Sequence, residues 1–172
     1  MLDQTQSHYK EDKMTKKLHV SYDDMHQLLN SMFRSMAKDK YKPDLIVGIT
    51  RGGLIPAVHV SHYFDVPMTT IQYSLRDHTS ISDNLIPYSI LRAMSDKKQV
   101  LFVDDICDEG HTLFNIYEDI DKHISLHSLD KSTTKSAVLH HNLGATLFTP
   151  DYCGMEINKV EDPVWIIYPY EY

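Results

Sequence analysis

Apolar residues recur along this chain with two different periods. Met25, Leu28, Leu29, Met32, Phe33 and Met36 repeat at helical spacing and predict an amphipathic first helix. Ser21 and Asp24 stand ahead of it as a capping box, with Asp in place of the usual Glu. A methionine-rich stripe of this kind is core material. Leu45 to Ile49 is a short apolar run between Pro43-Asp44 and an Arg-Gly-Gly turn, and predicts a strand. Leu54 to about Tyr63 predicts a helix, with Pro56 tolerated in its first turn. Met68 to Tyr73, Val100 to Val103, Ser136 to His140 and Val164 to Tyr168 predict further strands. Leu113, Ile116, Tyr117, Ile120 and Ile124 mark a helix after Val103. The stretch from Ser74 to about Tyr88 is polar and without period, and predicts a long loop. Strands alternating with helices imply an α/β fold, a mostly parallel twisted sheet flanked by helices. Residues 1–17 are polar and of mixed charge and predict a loose arm, leaving 18–172 as one domain.

Composition narrows the function classes. The 172 residues suffice for one domain with a real core. The net charge of −7 argues against a nonspecific nucleic-acid surface, so no nucleic-acid partner is expected. Two cysteines, Cys107 and Cys153, do not make a disulfide framework, and a reducing cytoplasmic setting is expected. No apolar stretch approaches membrane length, and the polar N-terminus lacks the apolar core of a secretory signal.

The chemistry concentrates in Val100-Leu101-Phe102-Val103-Asp104-Asp105-Ile106-Cys107-Asp108-Glu109-Gly110-His111-Thr112-Leu113. A buried strand ends in two carboxylates, and a short loop with one glycine runs into a helix. Open α/β sheets bind ligands outside the carboxyl ends of their strands. A helix N-terminus there offers free N–H groups and a positive dipole end, which suit a phosphate. The carboxylates suit sugar hydroxyls or a metal ion, so the segment reads as a site for a phosphorylated sugar. An ATP loop of the Walker type needs a lysine where His111 stands.

This run resembles the phosphoribosyl-pyrophosphate motif of the type I phosphoribosyltransferases. Asp44-Leu45-Ile46-Val47-Gly48-Ile49-Thr50-Arg51-Gly52-Gly53-Leu54-Ile55-Pro56-Ala57 resembles the pyrophosphate-loop region of their purine branch. Pro150-Asp151-Tyr152 and Trp165-Ile166-Ile167-Tyr168-Pro169-Tyr170-Glu171 resemble its purine hood. The three matches fall in family order.

The resemblance implies a type I phosphoribosyltransferase fold, with a small hood built from the C-terminal segment, mainly 140–172. It implies transfer of ribose-5-phosphate from phosphoribosyl pyrophosphate to a purine, with Mg2+ as cofactor and a homo-oligomeric state. Glu109, Gly110, His111 and Thr112 then form the 5′-phosphate pocket. Asp104 and Asp105 take the ribose hydroxyls, directly or through the metal, with Glu171 on the metal–pyrophosphate side. Asp108 lies near N7 of the base as a proposed general base. Thr50, Arg51, Gly52 and Gly53 hold pyrophosphate, with a non-proline cis peptide between Thr50 and Arg51. The loop from Ser74 acts as a lid, with Ser74, Arg76 and Asp77 as donor contacts, and Trp165 stacks on the purine. One departure stands out. Purine members carry a lysine after the strand equivalent to Ser136–His140, against the purine 6-oxo group. Here His140-His141-Asn142 stands instead, so His140 and His141 are the expected base contacts. No second ligand cluster at suitable sequence spacing makes the paired histidines a metal site, and His59 with His62 reads as a helix surface pair. A different nitrogenous acceptor, or a regulator sensing donor or nucleotide on the same fold, are the alternatives.

Overall fold

The computed structural model describes residues 16–73, 86–127 and 133–171. The elements in chain order are β1 (Lys16–His19), α1 (Tyr22–Lys38), β2 (Leu45–Thr50), α2 (Leu54–Phe64), β3 (Met68–Gln72), α3 (Tyr88–Ser95), β4 (Val100–Cys107), α4 (His111–His127), β5 (Thr134–Asn142), β6 (Tyr152–Ile157) and β7 (Val164–Ile167). Five strands form one sheet in the order β3-β2-β4-β5-β6, and every pairing in it is parallel. Among the described residues no helix is long and apolar enough to cross a membrane.

The sheet has a core on each face. On one, Met25, Leu28, Leu29, Met32, Phe33 and Met36 of α1 and Ala57 and Val60 of α2 pack on Ile46, Leu101, Val103, Ala137 and Leu139. On the other, Ile90, Ala93 and Met94 of α3 and Leu113, Ile116 and Ile120 of α4 cover Val47, Ile49, Val100, Phe102 and Val138. Each such large side chain, once buried, stabilises the fold by roughly 1.5–3 kcal/mol. The capping box of α1 is formed: Asp24 N–H donates to Ser21 Oγ at 3.1 Å, and Ser21 N–H to Asp24 Oδ2 at 3.0 Å.

The order β3-β2-β4 reverses the direction of winding between β2 and β4. The carboxyl ends of these neighbouring strands therefore open a crevice. At the end of β4 the alternation of faces slips by one place. Val103 and Ile106, three residues apart, both pack on the first core. The cause is local. Asp105 N–H bonds Asp104 Oδ1 at 3.0 Å and Ile106 N–H bonds Asp105 Oδ1 at 2.7 Å. The register with β5 is unbroken there, with Asp104 opposite Val138 and Ile106 opposite His140.

Several expectations need correction. Lys16 and Lys17, expected in the arm, belong to β1, which pairs in parallel with β7 in a separate two-stranded sheet. The hood does not begin at 140. Residues 140–142 close β5, and Tyr152–Ile157 forms β6 at the edge of the main sheet. Their partly buried alternation reads as sheet because β5 supplies the ladder. The end expected for the loop, about Tyr88, is where α3 opens, with Ile86 buried just before it. The lid candidates Ser74, Arg76 and Asp77 lie outside the described residues.

Candidate active site

The crevice at the ends of β2 and β4 holds a cavity of about 400 Å³. Thr50, Arg51 and Gly52 form one wall, and residues 104–113 of β4, its loop and the start of α4 form the floor. Lys159, Trp165, Ile166, Tyr168 and Glu171 form the opposite wall. Three segments far apart in sequence thus meet at one site.

The loop into α4 turns at Gly110, whose φ of +90° favours glycine. A Cβ there would also stand 2.8 Å from the backbone nitrogen of Phe148. Helix geometry leaves the amides of the first turn of α4, which starts at His111, without intrahelical acceptors. Thr112 adds a hydroxyl beside them, and Glu109 sits 3.3 Å from the His111 ring.

On the facing wall the peptide between Thr50 and Arg51 is cis, as the resemblance implied. Gly52 faces Asp105, and a Cβ at Gly52 would overlap that carboxylate. Gly53 does not line the cavity. It lies under β4 at the start of α2, where a Cβ would strike the backbone of Ile49, Val103 and Asp104. Its role is close packing of helix on strand.

Asp104 is buried and Asp105 partly so, and each has another acid beside it. Burial, then the neighbouring Asp105, hold the Asp104 carboxyl well above the usual range. Burial, then the Glu171 carboxylate, push Asp105 up to about 6. Glu171 is fixed by a tight turn: Tyr168 N–H donates to its Oε2 at 3.1 Å, and its own N–H donates to Tyr168 O at 3.0 Å.

His140 and His141 do not line the cavity, and both are buried. His140 instead supports the site from behind. A carbonyl only accepts, so the Tyr168 hydroxyl donates to Asp105 O at 2.9 Å. It therefore accepts from His140 Nδ1, also at 2.9 Å. The imidazole is held neutral, because burial lowers its pKa to about 4. His140 is the ladder partner of Ile106, which packs on the same core as Tyr168, so it meets Tyr168 there.

Lys159, which the sequence pattern did not single out, supplies the missing cation. Its Nζ lies 2.6 Å from Asp108 Oδ2 and 6.0 Å from the centre of the Trp165 ring. Asn142 Nδ2 holds the other oxygen of Asp108 at 3.1 Å. Trp165 is 48% exposed, so it is a wall of the site and not a core aromatic. Its only sequence mark is its place six residues before the tryptophan, in Lys159-Val160-Glu161-Asp162-Pro163-Val164-Trp165.

The chain is a doubly wound parallel sheet with a glycine loop, an acid pair and an aromatic wall at its switch point. The chain belongs to the phosphoribosyl transferase domain family, which matches residues 15–169. It is similar to the xanthine-guanine phosphoribosyltransferase of Idiomarina loihiensis, with 30% identity over 105 residues, covering 60% of this chain and 64% of that one. It is also similar to the xanthine-guanine phosphoribosyltransferase of Cereibacter sphaeroides, with 35% identity over 108 residues, covering 57% and 62%. The match thus spans less than two thirds of either relative's length. Among solved structures it resembles the purine phosphoribosyltransferase from Pyrococcus horikoshii Ot3, with TM-score 0.64, 26% identity, and 91% and 95% of the two chains covered.

Proposed function

We propose that this chain transfers ribose-5-phosphate from phosphoribosyl pyrophosphate to a 6-oxopurine, giving a nucleoside 5′-monophosphate and pyrophosphate. One observation carries the reading: both candidate phosphate loops, the acid pair and the Trp165–Lys159 wall line a single cavity. The names of the similar proteins support it.

The reaction builds positive charge on the ribose while pyrophosphate leaves with added negative charge. The amides of residues 110–112 and the Thr112 hydroxyl take the 5′-phosphate. Arg51 and the amide of Gly52 take the pyrophosphate. Asp104 and Asp105 hold the ribose hydroxyls. The purine stacks on Trp165, and Asp108 accepts the proton from its N7 as the new glycosidic bond forms at N9. Asn142 and Lys159 fix the Asp108 carboxylate for that task.

The residues fit a magnesium ion. The cavity gathers Asp104, Asp105, Asp108, Glu109 and Glu171 against Arg51 and Lys159, and burial and then the Glu171 carboxylate raise Asp105. These are hard oxygen donors of the kind Mg2+ takes together with substrate phosphates. Asp104, Asp105 and Glu171 would hold it, and when bound it neutralises charge on the departing pyrophosphate.

Lys159 decides the acceptor class. An ammonium donates and cannot accept. It therefore suits the 6-oxo group of xanthine, guanine or hypoxanthine and opposes the 6-amino group of adenine. The test is pyrophosphate release from donor and Mg2+ with each of the four bases. Release with an oxopurine but not adenine is expected. Silence with all four alongside measurable donor binding would transfer the assignment to a sensor.

A further inference from the structure

We propose that His141, Cys153 and Glu156 form a site for a transition-metal dication of the zinc class, apart from the catalytic crevice. Sequence spacing offered no such cluster, because its members come from two strands. His141 closes β5, and Glu156 of β6 is its partner in the ladder. Cys153 lies three residues before Glu156 on β6, packed against the second core. One ligand atom from each residue lies within 4.8 Å of the other two.

Two independent observations point to a ligand. The first is His141 itself. It is 7% exposed, and its Nε2 is buried with no hydrogen-bond partner among the described residues. A buried polar nitrogen left unmet carries the full cost of desolvation, and native structures seldom tolerate that without a reason. The second is the chemistry of the set. Imidazole, thiol and carboxylate together match zinc, whose bonds to N, S and O run about 2.0–2.3 Å. A tetrahedral site at those lengths puts ligand atoms roughly 3.3–3.7 Å apart. The observed spacing is within reach of small side-chain rotations. Glu156 is exposed and Cys153 half-buried, so solvent can fill the fourth position.

The site differs from the acid cluster of the crevice in kind. Sulfur and nitrogen select zinc-class ions, whereas the all-oxygen cluster suits magnesium. None of His141, Cys153 and Glu156 lines the cavity. Its setting is nonetheless consequential. The residues on either side of His141 are His140, bonded to Tyr168, and Asn142, bonded to Asp108. A metal here would pin the strand that carries both supports.

The experiment uses the full chain, stripped with a chelator and kept in excess Mg2+. Zn2+ is titrated by calorimetry, and Co2+ serves as the spectroscopic probe. One ion per chain is expected, with a thiolate-to-cobalt charge-transfer band that Cys153→Ser abolishes. Glu156→Gln, at an exposed position, is expected to weaken binding on the order of 10- to 100-fold. Its melting temperature without metal should equal that of the unaltered chain, while the rise on adding Zn2+ shrinks. Absence of binding under these conditions overturns the proposal. So does binding that survives both Cys153→Ser and Glu156→Gln, since the ion would then sit elsewhere.

Discussion

In the proposed reaction, acceptor chemistry turns on the pair Asp108 and Lys159. Each holds the other at 2.6 Å, at the meeting of a phosphate loop and the Trp165 wall. Asp108→Asn removes the proton acceptor but keeps the shape. Turnover is expected to fall about 10²- to 10⁴-fold, with donor affinity barely changed. Steady-state kinetics at saturating donor check this, and unaltered turnover would remove Asp108 from proton transfer. Lys159→Met deletes a charged hydrogen-bond donor. It should lower kcat/KM for oxopurines by roughly 10- to 100-fold and leave the low rate with adenine where it was. Equal losses across all four bases would mean that Lys159 acts only by steadying Asp108. Lys159 was hidden in the sequence because it belongs to no periodic element. It follows β6 and reaches the site across the sheet edge. Asp104, Asp105, Asp108 and Trp165 were legible because a strand end and a lone tryptophan announce themselves locally.

At the scale of elements, the repeating patterns carried most of the fold. The stripe from Met25 to Met36 became α1, and the run Val100–Val103 became the centre of β4. Two kinds of feature were illegible. The four residues of β1 are all exposed, so no apolar alternation marks them, and the backbone ladder to β7 alone makes them a strand. The slip at Asp105 arises from carboxylates bonding neighbouring amides, which a period-two reading does not foresee. His140 and His141 were assigned to the base by the place of the missing lysine, but both are buried in β5 and lie off the cavity. The loop before α4 makes the sharpest prediction at this scale. Gly110→Ala meets both an unfavourable φ and the Phe148 backbone, so the loop must shift and its amides lose their aim. Donor affinity measured by calorimetry is expected to fall at least about tenfold, since several phosphate bonds go together. Unchanged affinity would place the 5′-phosphate elsewhere.

For the whole molecule, the acid pair sets a pH dependence. Asp105 titrates near 6 when folded and near 3.8 when unfolded. Between those values the folded state binds more protons, so this group's contribution makes stability fall as pH rises through the window. Above it, the folded chain holds an ionised cluster that a divalent cation relieves. Mg2+ should therefore raise the melting temperature more at pH 7.5 than at pH 5, as calorimetric scans at both pH values would show. An equal rise at both would separate the metal from Asp105. The pairing of β1 with β7 has a consequence of another sort, in the order of synthesis. Of the described strands, β1 leaves the ribosome first and its partner last. The phosphate loops and their sheet can be folded while Trp165 is still to be made. A growing chain would thus carry the proposed donor pocket before the Trp165 wall, until β7 emerges to meet β1.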